Sequence, residues 1–332
     1  MYSKPHLSYD GQVALLTSRG LRCNDHDEAV ALLRSVGYYR LSAYVYPFRT
    51  LLEVDQRQVD SPAHYRSDKI REGTTLEEVE ALWRFDRKLR LIVLDALETV
   101  EIGLRTKVAH VLGARDTFGH VHRDSLDDDA CSAPIGAGKA GATDAYEDWI
   151  NRYASLQDRA KSEDFVRHNL YKYGDPLPVW VAVEILDLGA LVRLFSLMDK
   201  RDQNAIAKEV GVSGGPLLSA WLRQINYLRN VCAHHSRLWN RTLTLQAKKF
   251  NPTQAGSDLA HVASSGSRDK IYVLLAILGY LVRNLDPKAN WPLTLRTHLK
   301  KFPELDGITV HQDMGFPKDW ADQPLWNAPV VK

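Results

Sequence analysis

Arg229 and His234, five positions apart, are the residues of this sequence whose types and spacing best suit a chemical reaction. Cleavage of RNA by the neighbouring 2′-hydroxyl needs a group that exchanges protons and a positive charge beside the phosphorane. Histidine exchanges protons near neutral pH, and the planar guanidinium of arginine matches phosphate oxygens. The pair therefore predicts RNA cleavage that needs no metal ion and no other cofactor. DNA lacks the 2′-hydroxyl and would resist this route.

The spacing alone is weak evidence, because it recurs twice in the chain. Arg105 with His110 repeats it, and so does Arg115 with His120. With 12 histidines in the chain, about one such match is expected by chance. The alternative interpretation is that the arginine is a half-buried structural residue and the histidine a plain surface residue.

The helix that should carry this pair runs from about residue 214 to 236. On a helical wheel its apolar positions form one stripe, which should face the core: Leu218, Trp221, Leu222, Ile225, Leu228 and Cys232. The opposite side is a polar ridge: Arg223, Tyr227, Asn230 and His234. Arg229 falls about 140° around the helix from His234 and about 7.5 Å along its axis. A site shared between two chains is therefore the simpler geometry.

Other polar residues near the pair are candidates for binding RNA or for supporting the site. Arg237 and Arg241 follow the helix and either contact flanking phosphates or remain solvated charges. His235 either contacts RNA, supports the neighbouring histidine, or occupies an ordinary surface position. Asn230 is a further candidate for binding RNA, and Tyr227 for supporting the site.

Two glutamates lie one turn apart on a predicted helix earlier in the chain. Glu101 and Arg105 are spaced for an ion pair along that helix. Glu98 either takes part in ordinary ion pairing or orients Arg229 from the facing helix. Both interpretations are kept open for Glu98.

The cysteines indicate a reducing compartment and no metal centre. Cys23, Cys131 and Cys232 are odd in number and widely spaced, which argues against a disulfide framework. Cys232 with His234 and His235 falls short of the roughly four converging ligands that zinc needs. No partner cluster stands out, so no metal site is predicted.

Composition is that of an ordinary globular protein of 332 residues, 45% hydrophobic and 25% charged. The net charge of +2 gives no global polybasic character, so RNA would have to be bound by local clusters of lysine and arginine. The N-terminus lacks the pattern of a signal peptide. The longest apolar run, residues 271–282, falls short of the about 20 residues that span a bilayer. A soluble cytoplasmic protein without a membrane partner is expected.

Helical periodicity dominates the chain, so a mainly α fold is predicted. The strongest signal covers residues 76–112, with Thr74 or Thr75 as N-cap and Gly113 as its stop. A second apolar segment, 179–198, follows Pro178. A third, 269–285, is apolar nearly all round and should be buried.

Three segments depart from this helical pattern. Residues 114–146 show no sustained period and predict a loop or mobile insertion. Residues 40–48 are the best strand candidate. Residues 287–332 hold six prolines and three tryptophans and predict an irregular arm packed by its aromatic side chains. An aromatic cluster in the N-terminal region predicts either a packed hydrophobic hook or a base-stacking surface: Tyr38, Tyr39, Tyr44, Tyr46 and Phe48.

Five segments, in order along the chain, resemble the blocks of the AbiD/AbiF-type abortive-infection proteins of bacteria. They are residues 36–49 (VGYYRLSAYVYPFR), 85–90 (FDRKLR) with 97–102 (LETVEI) and Arg105, 177–184 (LPVWVAVE) with Gly189, 229–241 (RNVCAHHSRLWNR), and 314–317 (MGFP) with Trp320. The resemblance runs from about residue 30 to the end, and the fourth block is the most specific. The segment 114–146 has no counterpart in these blocks.

The resemblance implies membership of the HEPN superfamily, whose active members are metal-independent ribonucleases with an Arg-x4-His motif that Arg229 and His234 match. It implies products with a 2′,3′-cyclic phosphate and a 5′-hydroxyl, a composite site in a homodimer, and a role in phage defence. A non-catalytic HEPN module that binds or senses RNA is the alternative. A third possibility, compatible with the first, is a toxin held inactive by an antitoxin protein or RNA.

The implied fold is a HEPN-like helical bundle with helical and irregular N- and C-terminal extensions. Three regions are predicted on this basis. Residues 1–73 pack on the core, 74–285 form the helical domain with a loop insertion at about 114–146, and 286–332 form a C-terminal arm.

Overall fold

The protein is mainly α-helical, as predicted. The computed structural model describes residues 5–57, 65–136, 141–244, 248–263 and 268–327. It is 66% helical, and its β-structure in named strands is one two-stranded sheet within these residues. No helix in the described ranges is long and apolar enough to span a bilayer.

The helices and strands follow one another in three groups along the chain. In the N-terminal third they are α1 Tyr9–Ser18, α2 His26–Val36, α3 Tyr38–Val45, β1 Arg49–Leu51, β2 Arg66–Ile70 and α4 Leu76–Arg115. In the middle third they are α5 Asp128–Cys131, α6 Ala145–Ala160, α7 Asp164–Tyr173, α8 Val179–Ala182, α9 Leu188–Leu197, α10 Lys200–Glu209 and α11 Gly215–Ala233. Towards the C-terminus they are α12 Ala260–Ala263, α13 Ile271–Leu285, α14 Trp291–Leu299, α15 Val310–Met314 and α16 Pro324–Asn327.

The chain divides into two compact units. The first comprises Met1–Arg90 with Thr297–Asp313, and the second Leu91–Arg296 with Met314–Lys332. The division falls inside α4. The three regions expected from the sequence stay a prediction.

The long helix α4 begins as its sequence predicts. The Thr75 hydroxyl accepts a hydrogen bond from the Glu78 N–H at 3.3 Å, and the Glu78 carboxylate accepts one from the Thr75 N–H at 2.8 Å. This reciprocal capping box satisfies two donors at the helix start. Gly113 was expected to end the helix, but α4 continues to Arg115. Glycine at position 113 instead lets Val179 pack closely against α4, because a Cβ at Gly113 would lie 3.0 Å from a methyl carbon of Val179.

The strand predicted over residues 40–48 is wrong, because most of this segment is α3 and a 3-10 turn. The buried side chains of α3 are Leu41, Tyr44 and Val45, at three- and four-residue spacing that suits a helix. The strands come later, in an antiparallel pair that matches Arg49 with Ile70. Aromatic and β-branched residues favour strands locally, and tertiary burial overrides that preference here.

A buried polar cluster joins the first family-like block, residues 36–49, to the second, residues 85–90. The Tyr44 hydroxyl donates to the Asp86 carboxylate at 2.6 Å, and Arg90 donates to the same oxygen at 2.5 Å and to the hydroxyl at 3.1 Å. All three residues are buried. Burial, reinforced by the neighbouring Asp86, raises the pKa of Tyr44 above its usual range, so the phenol stays protonated and donates. The aromatic cluster of the first block is therefore partly core: Tyr44 and Phe48 are buried, whereas Tyr39 is exposed.

The predicted helix over 179–198 is interrupted in the structure. It consists of α8, a 3-10 turn over Val183–Ile185, and α9. The Asp187 carboxylate caps α9 by accepting the Ala190 N–H at 2.7 Å. A new helix begins here because the aspartate side chain accepts a hydrogen bond from a first-turn N–H group that has no partner within the helix.

The predicted loop 114–146 contains more structure than expected in its described residues. A 3-10 turn, Arg123–Ser125, precedes the one-turn helix α5, and α6 begins at Ala145. His120, Leu126 and Cys131 are buried. Their spacing along the chain is irregular. Hydrophobic periodicity therefore does not predict that this segment packs against the core.

The predicted irregular arm 287–332 is also more helical than expected. It contains α14, α15 and α16 within its described residues. In α14, Trp291, Leu295 and Leu299 are buried at four-residue spacing. The Trp291 indole N–H donates to the Ile92 carbonyl at 2.6 Å. Pro292 lies in the first turn of α14, where proline is tolerated.

Candidate functional site

Helix α11 is fixed in the core by the apolar stripe that its sequence predicts. Every residue of that stripe is buried: Leu218, Trp221, Leu222, Ile225, Leu228 and Cys232. Arg223, Asn230 and His234 are exposed on the predicted polar ridge, and Tyr227 is half-buried. The helix packs against α9, α10 and α13. Its polar ridge is therefore held on a rigid support.

The C-terminus of α11 places two histidines side by side at the surface. His234 is the C-cap and its N–H donates to the Asn230 carbonyl at 3.0 Å. The His235 N–H donates to the Cys232 carbonyl and the Ser236 N–H to the Val231 carbonyl, each at 3.0 Å. This pair of bonds is a Schellman motif. It satisfies the last carbonyls of the helix. The backbone leaves the helix axis directly after His234.

His235 occupies the left-handed position of that motif, with φ of 55°. Among the described residues it is the one residue other than glycine with a positive φ. Glycine usually stands at this position, because a Cβ makes the left-handed conformation costly. A strained residue beside the candidate site is consistent with a role for its side chain there.

Replacing His235 by glycine should raise the free energy of unfolding by about 0.5 to 1 kcal/mol, because the cost of the left-handed Cβ is removed. Denaturant unfolding of the purified variant measures this difference. His234→Gly is the matched control, since His234 has a φ of −84° and gains nothing from glycine. A loss of stability in His235→Gly would contradict the assignment of strain.

Arg229 lies in a cleft between α11 and the middle of α4. The cleft has a volume of about 240 Å³, and its polar lining is Glu98, Glu101, Arg105 and Arg229. Glu101 and Arg105 form the predicted ion pair at 2.6 Å, and Arg105 also donates to the Leu186 carbonyl at 2.8 Å. Glu98 is exposed at the mouth of this cleft. Glu98 and Arg229 line the same cleft, and both interpretations of Glu98 stay predictions.

A second acidic group near Arg229 comes from the start of α9. Burial alone would raise the pKa of Asp187, but the Ala190 N–H, Arg152 and, at longer range, Arg229 together hold it below its usual value. Arg152 donates to both Asp187 oxygens, at 2.8 and 3.1 Å. Gly189 permits this approach, since a Cβ there would lie 3.2 Å from the Asp187 carboxylate. Arg229 therefore shares its cleft with Glu98 and Glu101 and acts on Asp187 at longer range.

Arg152 and Asp187 were missed by the sequence reasoning. They are 35 residues apart, and each is far from Arg229 along the chain. A local signal existed for one of them: an aspartate before an apolar helical run is a typical N-cap. No local pattern indicates that this cap lies next to α11.

Beyond α11, Arg241 folds back onto the polar ridge. Its guanidinium donates to the Tyr227 hydroxyl at 3.2 Å and to the Arg237 carbonyl at 3.0 Å. Arg237 and Arg241 are both half-buried. Tyr227 thus positions Arg241 beside the end of the helix.

Arg229 and His234 do not meet within one chain. In the described residues no hydrogen bond joins them, and the hydrogen bond of the Arg229 side chain goes to the Asn230 amide oxygen at 3.4 Å, a long distance for such a bond. The helix is regular up to Ala233, so the angle of about 140° between the two positions applies. Arg229 faces the cleft on α4, and His234 faces solvent.

In the two other arginine–histidine pairs with the same spacing, the arginine is held in an ion pair. Arg105 is bound by Glu101, and Arg115 by Asp202 at 2.7 Å. His120 is fully buried, and burial lowers its pKa to about 4, so it stays neutral away from any substrate. His110 is exposed and Arg105 lines the same cleft as Arg229, so the difference lies in the arginines: Arg105 is paired with Glu101, whereas the Arg229 side chain donates to the Asn230 amide oxygen.

Metal ligands do not converge near the pair. Cys232 is buried in the core, whereas His234 and His235 are exposed. A search of the described residues for groups of three or more histidine, cysteine, aspartate or glutamate side chains able to hold a metal found none. Cys232 and the two histidines therefore lie on different sides of the helix end and do not face a common point.

Comparisons with known proteins place this geometry in a family. A search of curated proteins and a search of solved structures each found no match. The family model described as Abi-like protein matches residues 31–240, more than half of the chain, and so includes the end of α11 with Arg229 and His234. The chain belongs to the Abi-like protein family.

Proposed function

We propose that this protein is a metal-independent endoribonuclease of the HEPN superfamily that acts in abortive infection. Its products would carry a 2′,3′-cyclic phosphate and a 5′-hydroxyl. Membership of the Abi-like family supports the role in abortive infection. The observation that carries the nuclease proposal is the exposed imidazole of His234 at the end of a core-anchored helix, one turn beyond Arg229 in its open cleft.

The proposed active site is formed by two copies of the chain. Arg229 and His234 of one copy point in different directions, so a phosphate bound by one is out of reach of the other. A twofold axis near the end of α11 would bring Arg229 of one protomer towards His234 of its partner, and would create two equivalent sites. This homodimer is part of the proposal.

In the proposed mechanism His234 exchanges the protons. As a base it takes the proton of the 2′-hydroxyl, and the oxygen then attacks the adjacent phosphorus. The bond from phosphorus to the 5′-oxygen breaks, and that oxygen receives a proton from the imidazolium, or from the second imidazole of the dimer. Arg229 stabilises the charge on the phosphorane oxygens through its planar fork. Atoms balance without a metal ion or a water molecule.

The surrounding residues would bind and orient the substrate. Arg241, positioned by Tyr227, and Arg237 lie where they would contact phosphates beside the reacting one. Asn230 and His235 are exposed next to the imidazole and offer hydrogen bonds to the sugar or base. Glu98 would help to orient the guanidinium of Arg229.

Incubation of purified protein with mixed RNA in the presence and absence of EDTA tests this proposal. Cleavage should be equal in both, and a substrate with 2′-deoxy sugars should remain intact. Products should be resistant to direct 3′-end ligation until the cyclic phosphate is opened and removed. Cleavage abolished by EDTA, or cleavage of the deoxy substrate, would contradict the mechanism.

A second candidate is a non-catalytic module that binds or senses RNA through the same polar ridge. It is favoured by the carboxylates near Arg229, because the negative charge of Glu98 in the same cleft and of Asp187 at longer range competes with a phosphorane for the guanidinium. RNA binding without cleavage by the wild-type protein would support this candidate. A toxin held inactive is compatible with the nuclease proposal, and an antitoxin protein or RNA would then be a further partner.

A further inference from the structure

A second concave surface lies at the C-terminal end of α4, whereas Arg229 lies against the middle of that helix. It is a groove of about 550 Å³ between α7, α8 and the residues that follow α4. Its lining combines aromatic rings with polar side chains: Phe118, Tyr173, Trp180, Thr117, His168 and Asn169. None of these residues belongs to the candidate site described above. The groove has the volume and the mixed lining typical of a site for a small planar ligand.

The aromatic residues of this groove are unusually open to solvent. Trp180 is 52% exposed and Tyr173 is 68% exposed. Exposed aromatic rings clustered around a concavity are a common mark of a binding site. One edge of the Trp180 ring rests on α4, since a Cβ added to Gly113 would lie 3.3 Å from it. Glycine at this position therefore lets the indole lie against the helix in a fixed orientation.

The backbone around Trp180 is also fixed. The Val179 N–H donates to the Thr117 carbonyl at 2.8 Å, which ties the start of α8 to the segment after α4. Val179 itself is fully buried. A ring that is already ordered before binding loses little entropy when a ligand stacks on it. Trp180 is thus a preorganised stacking surface.

The groove is the last of three clefts that follow one another along α4 from Arg229. The first holds Arg229 and ends at Arg105. The second, of about 530 Å³, begins at Thr106, continues to Ala114, and has Trp180 in its wall. The third is the aromatic groove, which shares Trp180 with the second. From residue 101 to residue 113 the helix rises by about 18 Å, a distance that a few nucleotides of extended single strand can cover.

We propose that the aromatic groove binds an unpaired base of single-stranded RNA, stacked on Trp180 and flanked by Tyr173. This inference rests on the proposed function, because the same strand would present its scissile phosphate to Arg229. His168 and Asn169 would offer hydrogen bonds to the edge of the base. Base stacking on aromatic side chains is tolerant of sequence, since every base has a π-face.

Stacking rather than charge supplies the binding at this groove. Arg229 and Arg105 in the first cleft are balanced by Glu98 and Glu101, and the second cleft contributes Glu184. This mixed charge adds little long-range attraction for the strand as a whole, although Arg229 still contacts the one phosphate presented to it. The contribution of Trp180 to affinity should therefore be almost independent of salt, in contrast to that of a phosphate contact such as Arg241.

The experiment measures the binding of an unstructured, fluorescein-labelled oligoribonucleotide by anisotropy. The full chain carries His234→Ala so that the probe is not cut. Adding Trp180→Ala or Tyr173→Ala should weaken binding by about 5- to 150-fold, with an unchanged dependence of affinity on salt. Trp180→Phe should recover most of the loss. Arg241→Ala should lower the slope of log affinity against log salt by about 1.

The matched control is Tyr171→Ala, on the helix α7 that also carries Tyr173. Tyr171 is 93% exposed and does not line the groove, so its loss should leave affinity unchanged. Thermal unfolding of each variant excludes misfolding as the cause of weaker binding. Equal affinity for Trp180→Ala and its parent, an equal loss for Tyr171→Ala, or no RNA binding by the parent would overturn the inference.

These outcomes separate the inference from the proposed function. Binding that depends on Trp180, combined with no cleavage by the protein with His234 intact, supports the groove and removes the nuclease. Cleavage by that protein with affinity indifferent to Trp180 keeps the nuclease and removes the groove. Binding that depends on Trp180 for a labelled peptide but not for RNA would assign the groove to a protein partner and overturn the proposal.

Discussion

Replacing His234 by alanine should lower the rate of RNA cleavage by about 10²- to 10⁴-fold, the usual contribution of a general acid–base group. The imidazole is exposed at the C-cap of α11, and its backbone bond to Asn230 survives the substitution. The free energy of unfolding should therefore change by no more than about 0.5 kcal/mol. Single-turnover cleavage of a labelled RNA measures the rate, and denaturant unfolding measures the stability.

His311→Ala is the control for this substitution. His311 is also an exposed histidine on a helix, and it lies outside the candidate site. Its loss should leave the rate unchanged. Equal cleavage by His234→Ala and the wild-type protein would remove the histidine from the mechanism. A parallel fall in stability would show that the substitution acts through folding.

Replacing Asp86 by alanine should lower the free energy of unfolding by about 3 to 5 kcal/mol, because it leaves a buried arginine without its countercharge. Asp86 is 0% exposed and accepts hydrogen bonds from both Tyr44 and Arg90. Both donors lose their acceptor at once. Urea unfolding followed by circular dichroism measures the change, and its first transition should report the compact unit that contains these residues.

Glu80→Ala is the matched control on the same helix. Glu80 and Arg84 form an ion pair at 2.6 Å with the same four-residue spacing, but the arginine side chain is largely exposed. Such a surface pair contributes at most about 1 kcal/mol. A loss below that value in Asp86→Ala would show that the buried cluster is not a major source of stability. The two variants together separate the effect of burial from that of pairing.

The buried cluster also changes how the family-like blocks are interpreted. Residues 85–90 resemble a family block, yet Asp86 and Arg90 bind Tyr44 of the first block inside the core. Similarly, Gly189 of the third block allows Asp187 and Arg152 to meet. These blocks meet inside the protein as packing and pairing residues. The fourth block is the one that places two adjacent histidines at the surface.

The parts of the fold that the sequence predicts well are those with one dominant constraint. In α11 a single apolar stripe decides the orientation, and all six of its predicted residues are buried. In α4 the capping box and the ion pair of Glu101 with Arg105 are local interactions within four residues. Short-range geometry of this kind can be derived from spacing alone.

The parts that the sequence does not predict depend on contacts between distant segments. Residues 40–48 have the composition of a strand, but burial of Tyr44 on Asp86 requires a helix. The surroundings of Arg229 come from α4, α6 and α9, so only the tertiary structure shows that Glu98, Arg152 and Asp187 lie near it. The helix α14 depends on Trp291 reaching the Ile92 carbonyl, almost 200 positions away.

The claim that Arg229 and His234 act from two different chains has a direct test, which is to mix two inactive variants. Arg229→Ala and His234→Ala proteins are each expected to lose activity. After subunit exchange, each mixed dimer holds one site with both residues intact, so the mixture should regain about a quarter of the wild-type rate. Co-purification of differently tagged subunits confirms that mixed dimers are present. Recovered cleavage is the predicted result, and mixed dimers that remain as inactive as the separate variants would contradict a site shared between chains.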